Sequence, residues 1–218
     1  RTLPSLEVPV NHEYRPLYQK DIPIRKKTLS IQWNHQFTLP NNGISELLET
    51  NYFLDYQGVR FIALNSNVMI DEQMEWLETV LKNNPHKWTI AFFHHPLYSA
   101  TTKRDYPERR KQWKPLFDKY GVDLALQGHD HTYARGSESL YEKNLLTGTN
   151  IKDATGTVYV VSVSGPKQYD IKPSWDQYEA TRHKAGANKQ LFQVISIDGN
   201  KLSYLSLIHI SEPTRQIV

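Results

Sequence analysis

Trp88-Thr89-Ile90-Ala91-Phe92-Phe93-His94-His95-Pro96 is a nearly continuous apolar run that ends in two imidazoles and a proline. Apolar character without alternation reads as a strand covered on both faces, the pattern of a parallel sheet. Polar groups that follow such a strand directly sit at its carboxyl end, where open α/β sheets carry their ligands. A second stretch repeats the arrangement. Val122-Asp123-Leu124-Ala125-Leu126 leads into Gln127-Gly128-His129-Asp130-His131. Between them, Pro107 to Tyr120 reads as a helix, with proline at its first position and Gly121 at its stop. A single crossover helix between two buried strands predicts that the strands are parallel and close.

Outward from this core the pattern stays regular. Tyr52–Tyr56 and Val59–Leu64, split by Gln57-Gly58, predict a hairpin. Asp71 to Asn83 predicts a helix: Met74, Leu77, Val80 and Leu81 recur at helical spacing, and Pro85 lies beyond the end. Val158–Val163 reads as another buried strand. Leu191–Ile197 and Lys201–Tyr204 around Asp198-Gly199-Asn200 read as a final hairpin. Residues 14–50 are polar and irregular, and are expected to form a long excursion with a short helix at Ile44–Glu49. Strands that alternate with helices and then give way to β-rich sequence predict a layered α/β fold with a mixed sheet.

Composition excludes several classes. Of 218 residues, 39% are hydrophobic, which is not a disordered composition. Lys and Arg number 26 against 23 Asp and Glu, a net charge of +3, so charge gives no ground for a dedicated nucleic-acid or membrane partner. No stretch approaches the ~18 apolar residues of a membrane span. With no cysteine, disulfides and thiolate metal sites are excluded.

Five of the nine histidines fall in three short segments: Asn11-His12-Glu13, His94-His95 and His129-Asp130-His131. Neutral imidazole is a strong ligand for zinc, iron and manganese, and an amide oxygen suits harder ions. A His-x-His pair in an extended loop sends both rings to one side, where they reach two adjacent ions or one ion twice. Gly128 allows a sharp turn there. Each segment alone also reads as a strand end or a polar turn. Together, at strand ends, they point to a metal site.

This combination of motifs resembles the later half of the calcineurin-like metallophosphoesterases. Tyr52 to Ser66, Trp88 to Tyr98, Leu126 to Arg135 and Gly156 to Gly165 resemble the purple acid phosphatase branch of that family. The resemblance covers roughly residues 5–204. It implies an α/β (α+β) four-layer sandwich of two mixed β-sheets flanked by helices, here with its N-terminal part missing. The implied function is a metal-dependent phosphoric ester hydrolase, an acid-phosphatase-like phosphomonoesterase whose hydroxide is activated by two metal ions (Fe, Zn or Mn). Asn11, His94 and His129 would bind one ion and His131 the other. His12 would act on the leaving group, and Glu13 would orient its neighbours. His95 would contact substrate or line the pocket. Tyr98, Tyr133 and Arg135 would form the pocket wall or support the ligands. The substrate would be a phosphate ester. A secreted or periplasmic location fits the branch, and oligomeric state stays open.

Departures from the family pattern accompany this reading. Val10 stands where the asparagine motif has glycine. The two aspartate-bearing motifs that lie upstream in the family are absent from residues 1–10, so residues 1–204 are expected to be the C-terminal portion of a catalytic domain, inactive or nearly so alone. Leu205 to Arg215 matches the in-frame translation of a transposase-type sequencing adapter, so residues 205–218 are expected to be a non-native tail. The alternative there is a strand over Leu205–Ile210. Lys103, Arg104, Arg109 and Arg110 form either a phosphate-receiving cluster or a solvated helix start. Two other functions remain: a phosphodiesterase or nucleotidase with the same centre, and a non-catalytic domain whose histidines hold one structural zinc or simply stabilise loops.

Overall fold

The computed structural model describes residues 5–16, 27–102, 104–138, 156–171, 175, 180–186, 190–208 and 212–217. Lys103 and His209 lie outside the described residues. The chain divides into two units, Arg1–His95 and Pro96–Val218.

In the first unit, β1 (Tyr14–Pro16) and β2 (Lys27–Leu29) form an antiparallel pair. They are followed by α1 (Trp33–Gln36) and a 3-10 turn at Ser45–Leu47. The expected irregular excursion therefore contains a strand pair, and its expected helix is only this 3-10 turn. β3 (Tyr52–Tyr56) and β4 (Val59–Ala63) pair as the predicted hairpin, with Tyr56 opposite Val59. The two-residue loop puts Gln57 at φ 48° and Gly58 at φ 80°, and two successive positive φ values match the twist of a tight hairpin. α2 (Gln73–Lys82) connects to β5 (Trp88–Phe93), which runs parallel to β4. Leu77, Val80 and Leu81 are the buried apolar face of α2, and each contributes about 1.5–3 kcal/mol on burial. Trp33, Leu39, Tyr52 and Ala63 form a core cluster, with Val8, Phe37 and Phe92 packed against it.

A buried polar network holds the loop after β4. The Gln73 amide accepts from the Asn65 backbone N–H (2.9 Å) and donates to the Asn65 carbonyl (2.8 Å). The Asn65 side chain donates to the hydroxyls of Tyr14 and Thr50 and accepts the Asn67 N–H. Asn67 in turn donates to the Pro9 carbonyl at 2.8 Å, which anchors the segment before Asn11.

In the second unit, α3 (Pro107–Tyr120) ends at Gly121, whose φ of 65° is the left-handed conformation expected of a glycine stop. The Val122 N–H closes the cap on the Phe117 carbonyl. β6 (Leu124–Gln127) pairs parallel with β8 (Val158–Val161). β7 (Tyr133–Glu138) pairs antiparallel with β8 and with β9 (Ala180–Gly186). β10 (Leu191–Asp198), β11 (Lys201–Ile208) and β12 (Glu212–Ile217) make a separate antiparallel sheet. Neither β7 nor β9 is evident from sequence pattern. The final hairpin runs past Tyr204: Leu205 to Ile208 continue β11, and β12 pairs with it.

Candidate functional site

The first unit brings together three of the expected site residues. β5 delivers His94 and His95 at its carboxyl end, with exposures of 9% and 4% and rings 4.9 Å apart at 76°. His95 is held at two points by Ser66. Its backbone N–H donates to the Ser66 hydroxyl oxygen at 2.9 Å, and its Nδ1 shares a second 2.9 Å hydrogen bond with that hydroxyl. His94 Nε2 lies 2.8 Å from the Asn11 side-chain oxygen. An amide oxygen only accepts, so in this contact Nε2 carries the proton; an ion held between the two atoms would replace that proton, and imidazole nitrogen and amide oxygen are both metal donors.

Asn11 and His12 occupy the centre of a turn. The Glu13 N–H donates to the Val10 carbonyl (3.2 Å), and the Val10 N–H donates to the Glu13 carboxylate (2.7 Å). Glu13 thus ties the two ends of the turn that carries Asn11 and His12. Val10 is not among the residues with positive φ, so valine takes the place of glycine without backbone strain. His12 is exposed and lines a cavity of about 410 Å³ with Glu7, Val10, Glu13, Ser30 and Trp33. Asn11, His94 and His95 are not among the residues lining it.

The second unit carries His129 and His131 on the loop between β6 and β7. The extended His-x-His geometry expected from sequence is not what forms. The Asp130 N–H bonds back to the Gly128 carbonyl at 2.7 Å, and His129 between them has φ 66°. This is the pattern of the strained type of γ-turn, in the left-handed region that side-chain-bearing residues rarely adopt. The two rings consequently meet different neighbours. His129 Nε2 lies 2.9 Å from the Tyr106 hydroxyl, and the His131 ring packs 4.7 Å from that of Tyr169.

His131 Nδ1 lies 3.0 Å from the Lys167 carbonyl oxygen. A carbonyl can only accept, so Nδ1 carries the proton and the neutral ring presents its lone pair at Nε2. A ring nitrogen fixed in this way by a backbone carbonyl is the usual arrangement of a metal-binding histidine. Here, too, the donor chemistry fits a metal ion.

Apart from Arg104, named in the basic cluster, sequence pattern did not single out the residues that surround this loop. Asp130 is only 2% exposed. Its Oδ2 accepts from the Ser99 hydroxyl (2.6 Å) and the Ala100 N–H (3.0 Å), and its Oδ1 accepts from Arg104 Nε (3.0 Å). Burial pushes the Asp130 carboxyl above its ordinary range, against the pull of these donors. Arg104 Nη2 also donates to the His129 carbonyl at 2.6 Å. Burial raises the Tyr106 hydroxyl as well, which keeps it protonated beside His129. The position of Asp130 between two histidines was the one signal available in the sequence.

The described arginines of the basic cluster all have partners within the protein. Arg110 donates to the Leu97 carbonyl and pairs with Asp105, and Arg109 lies 4.4 Å over the Tyr106 ring. Tyr98 is wholly buried between Tyr159 and Trp175, so it is a core residue rather than a pocket wall.

A family model described as Calcineurin-like phosphoesterase matches residues 8–133. The chain is similar to purple acid phosphatase 15 of Arabidopsis thaliana, 27% identical over 171 residues, covering 75% of this chain and 29% of that protein. It is also similar to acid phosphatase type 7 of Homo sapiens, 26% identical over 197 residues, covering 79% of this chain and 42% of that protein. Among solved structures, a purple acid phosphatase from yellow lupin (Lupinus luteus) seeds aligns with a TM-score of 0.57 at 22% identity, over 77% of this chain and 32% of that one. The chain spans less than half the length of each of these three proteins.

Proposed function

Because the chain belongs to the calcineurin-like phosphoesterase family and has its mixed α/β fold, we propose that the protein is a metal-dependent phosphoric ester hydrolase of the acid-phosphatase type, acting on monoesters. The observation that carries this reading is the fixed tautomer of His131, whose Nε2 lone pair is set by the Lys167 carbonyl. The adjacency of Asn11 Oδ1 and His94 Nε2 supports it. In this proposal Asn11, His94 and His129 hold one ion and His131 the other. Bound metal would polarise a phosphoryl oxygen and supply a hydroxide nucleophile near neutral pH.

The chain's own residues would do the rest. His12, exposed beside its cavity, donates a proton or a hydrogen bond to the departing oxygen. His95, with its ring held by Ser66, presents a fixed imidazole to the substrate. The four ligands proposed here are all neutral, and neutral donors leave a dication poorly compensated. These 218 residues by themselves are therefore proposed to turn over little.

The test is metal-dependent hydrolysis of an aryl phosphate by the full-length protein with added Mn, Fe or Zn, alongside a matched diester. Monoester turnover that requires metal, and that falls by about a hundredfold or more in His131→Ala, is expected. Turnover indifferent to both metal and His131→Ala would refute the reading.

A further inference from the structure

His129 combines two features that are seldom found together without a cause. Its backbone is strained, with φ 66° at the centre of a γ-turn, and its side chain is one of the proposed ligands. A residue persists in such a conformation only where its surroundings over-determine it. Here the surroundings can be named. Arg104 donates one nitrogen to the His129 carbonyl (2.6 Å) and another to Asp130 Oδ1 (3.0 Å), so one planar guanidinium spans the turn. Asp130 Oδ2 is tied to Ser99 and Ala100 (2.6 and 3.0 Å). Tyr106 meets the ring itself at Nε2 (2.9 Å). Backbone and ring are thus gripped separately.

From this geometry we infer that Arg104, with Asp130 and Ser99 behind it, is a positioning residue that maintains the strained turn and so sets the direction in which His129 offers its ring to a metal ion. The inference rests on the phosphoesterase reading only for the identity of the ligand. The brace itself is a property of this chain. The chemistry requires a forked donor: a lysine ammonium is a single point charge and cannot hold the carbonyl and the carboxylate in one plane. A residue present only for stability would lower the unfolding midpoint and leave the metal affinity of the folded protein unchanged.

The experiment uses the 218-residue chain with Arg104→Gln, Arg104→Lys and Ser99→Ala. Zinc binding is followed by calorimetry, Asp130 amide exchange by NMR, and folding by far-UV circular dichroism. Arg104→Gln is expected to weaken zinc binding by about tenfold or more and to speed Asp130 exchange, with the far-UV spectrum unchanged. Arg104→Lys should recover only part of the affinity. If Arg104→Gln does not fold, Ser99→Ala, which removes one donor from Asp130, should still weaken binding several-fold. A folded Arg104→Gln, or failing that Ser99→Ala, with wild-type zinc affinity and wild-type Asp130 exchange would overturn the inference. A wild-type chain that binds no zinc would count against the metal reading, while the exchange measurement would still decide whether Arg104 holds the turn.

Discussion

Ser66→Ala offers a sharp test of how the first unit holds its histidines. The hydroxyl makes two 2.9 Å bonds to one residue, one to the His95 N–H and one to its Nδ1, with both residues buried. Each bond contributes about 0.5–1.5 kcal/mol net, and a buried N–H deprived of its acceptor costs about 1–3 kcal/mol. The two effects overlap, since one of the lost bonds is that of the deprived N–H, so the expected loss is about 2–4 kcal/mol. With a urea slope of about 2 kcal/mol/M, the midpoint should fall by about 1–2 M at unchanged slope. A double-mutant cycle with His95→Phe isolates the ring contribution, because the phenylalanine keeps the backbone N–H but has no ring nitrogen to meet Ser66. The coupling should be about 1 kcal/mol. A Ser66→Ala midpoint within about 0.2 M of wild type, or a cycle without coupling, would refute the claim that this hydroxyl fixes His95.

Three further outcomes are expected. Asp55 is held below the usual aspartate range by its hydrogen bond to Arg60, against the opposing effect of burial, so it stabilises the fold fully above the unfolded value of about 4 and loses this contribution as pH falls through its lower folded value. Asp55→Asn should therefore lower stability at about pH 7 and flatten the loss on the acid side, and urea titrations across that range showing wild-type behaviour would contradict this. A methyl group at Gly43 would overlap the Asn51 carbonyl, whereas one at Gly121 meets nothing within 4 Å and only strains a φ of 65°. Gly43→Ala should accordingly cost about 3 kcal/mol or more and Gly121→Ala about 1–2 kcal/mol, and thermal melts giving the reverse order would be inconsistent with this packing. Zinc or manganese at about a hundred times its dissociation constant should add about 2.7 kcal/mol to stability, and His131→Ala should diminish that gain.

The parts of the fold legible in the sequence are those whose signal is local. α3 is found with the predicted ends because proline at its first turn and Gly121 beyond its last each fix the backbone on their own. β5 is found because six residues without alternation leave few other readings. β7 and β9 are missed for the complementary reason. Tyr133–Glu138 carries Gly136, Ala180–Gly186 is mostly polar, and both are strands because they pair with each other, and β7 with β8 as well. Their strand character is supplied by partners distant in sequence.

The site divides along the same line. Which side chains could bind metal is written in residue type, so the histidines and Asn11 stand out at once. How each is presented depends on atoms remote in the chain. The tautomer of His131 is set by a carbonyl 36 residues later, and the contact of His94 is with Asn11, 83 residues earlier. The positive φ of His129 follows from no propensity of the Gly-His-Asp-His string, which by period-two reasoning sends both rings one way. It persists beside an arginine 25 residues earlier that bonds its carbonyl. Arg104 and Ser99 carry no metal-binding signature and would pass as ordinary polar residues, and Asp130 is marked only by its place between two histidines. Yet substituting them should alter affinity through the orientation of other groups, whereas substituting His94 or His131 should alter it through the loss of a donor. Metal titrations of the two classes of variant separate these effects: a lost donor abolishes one coordination bond whatever the metal, while a loosened one leaves the bond in place and weakens it.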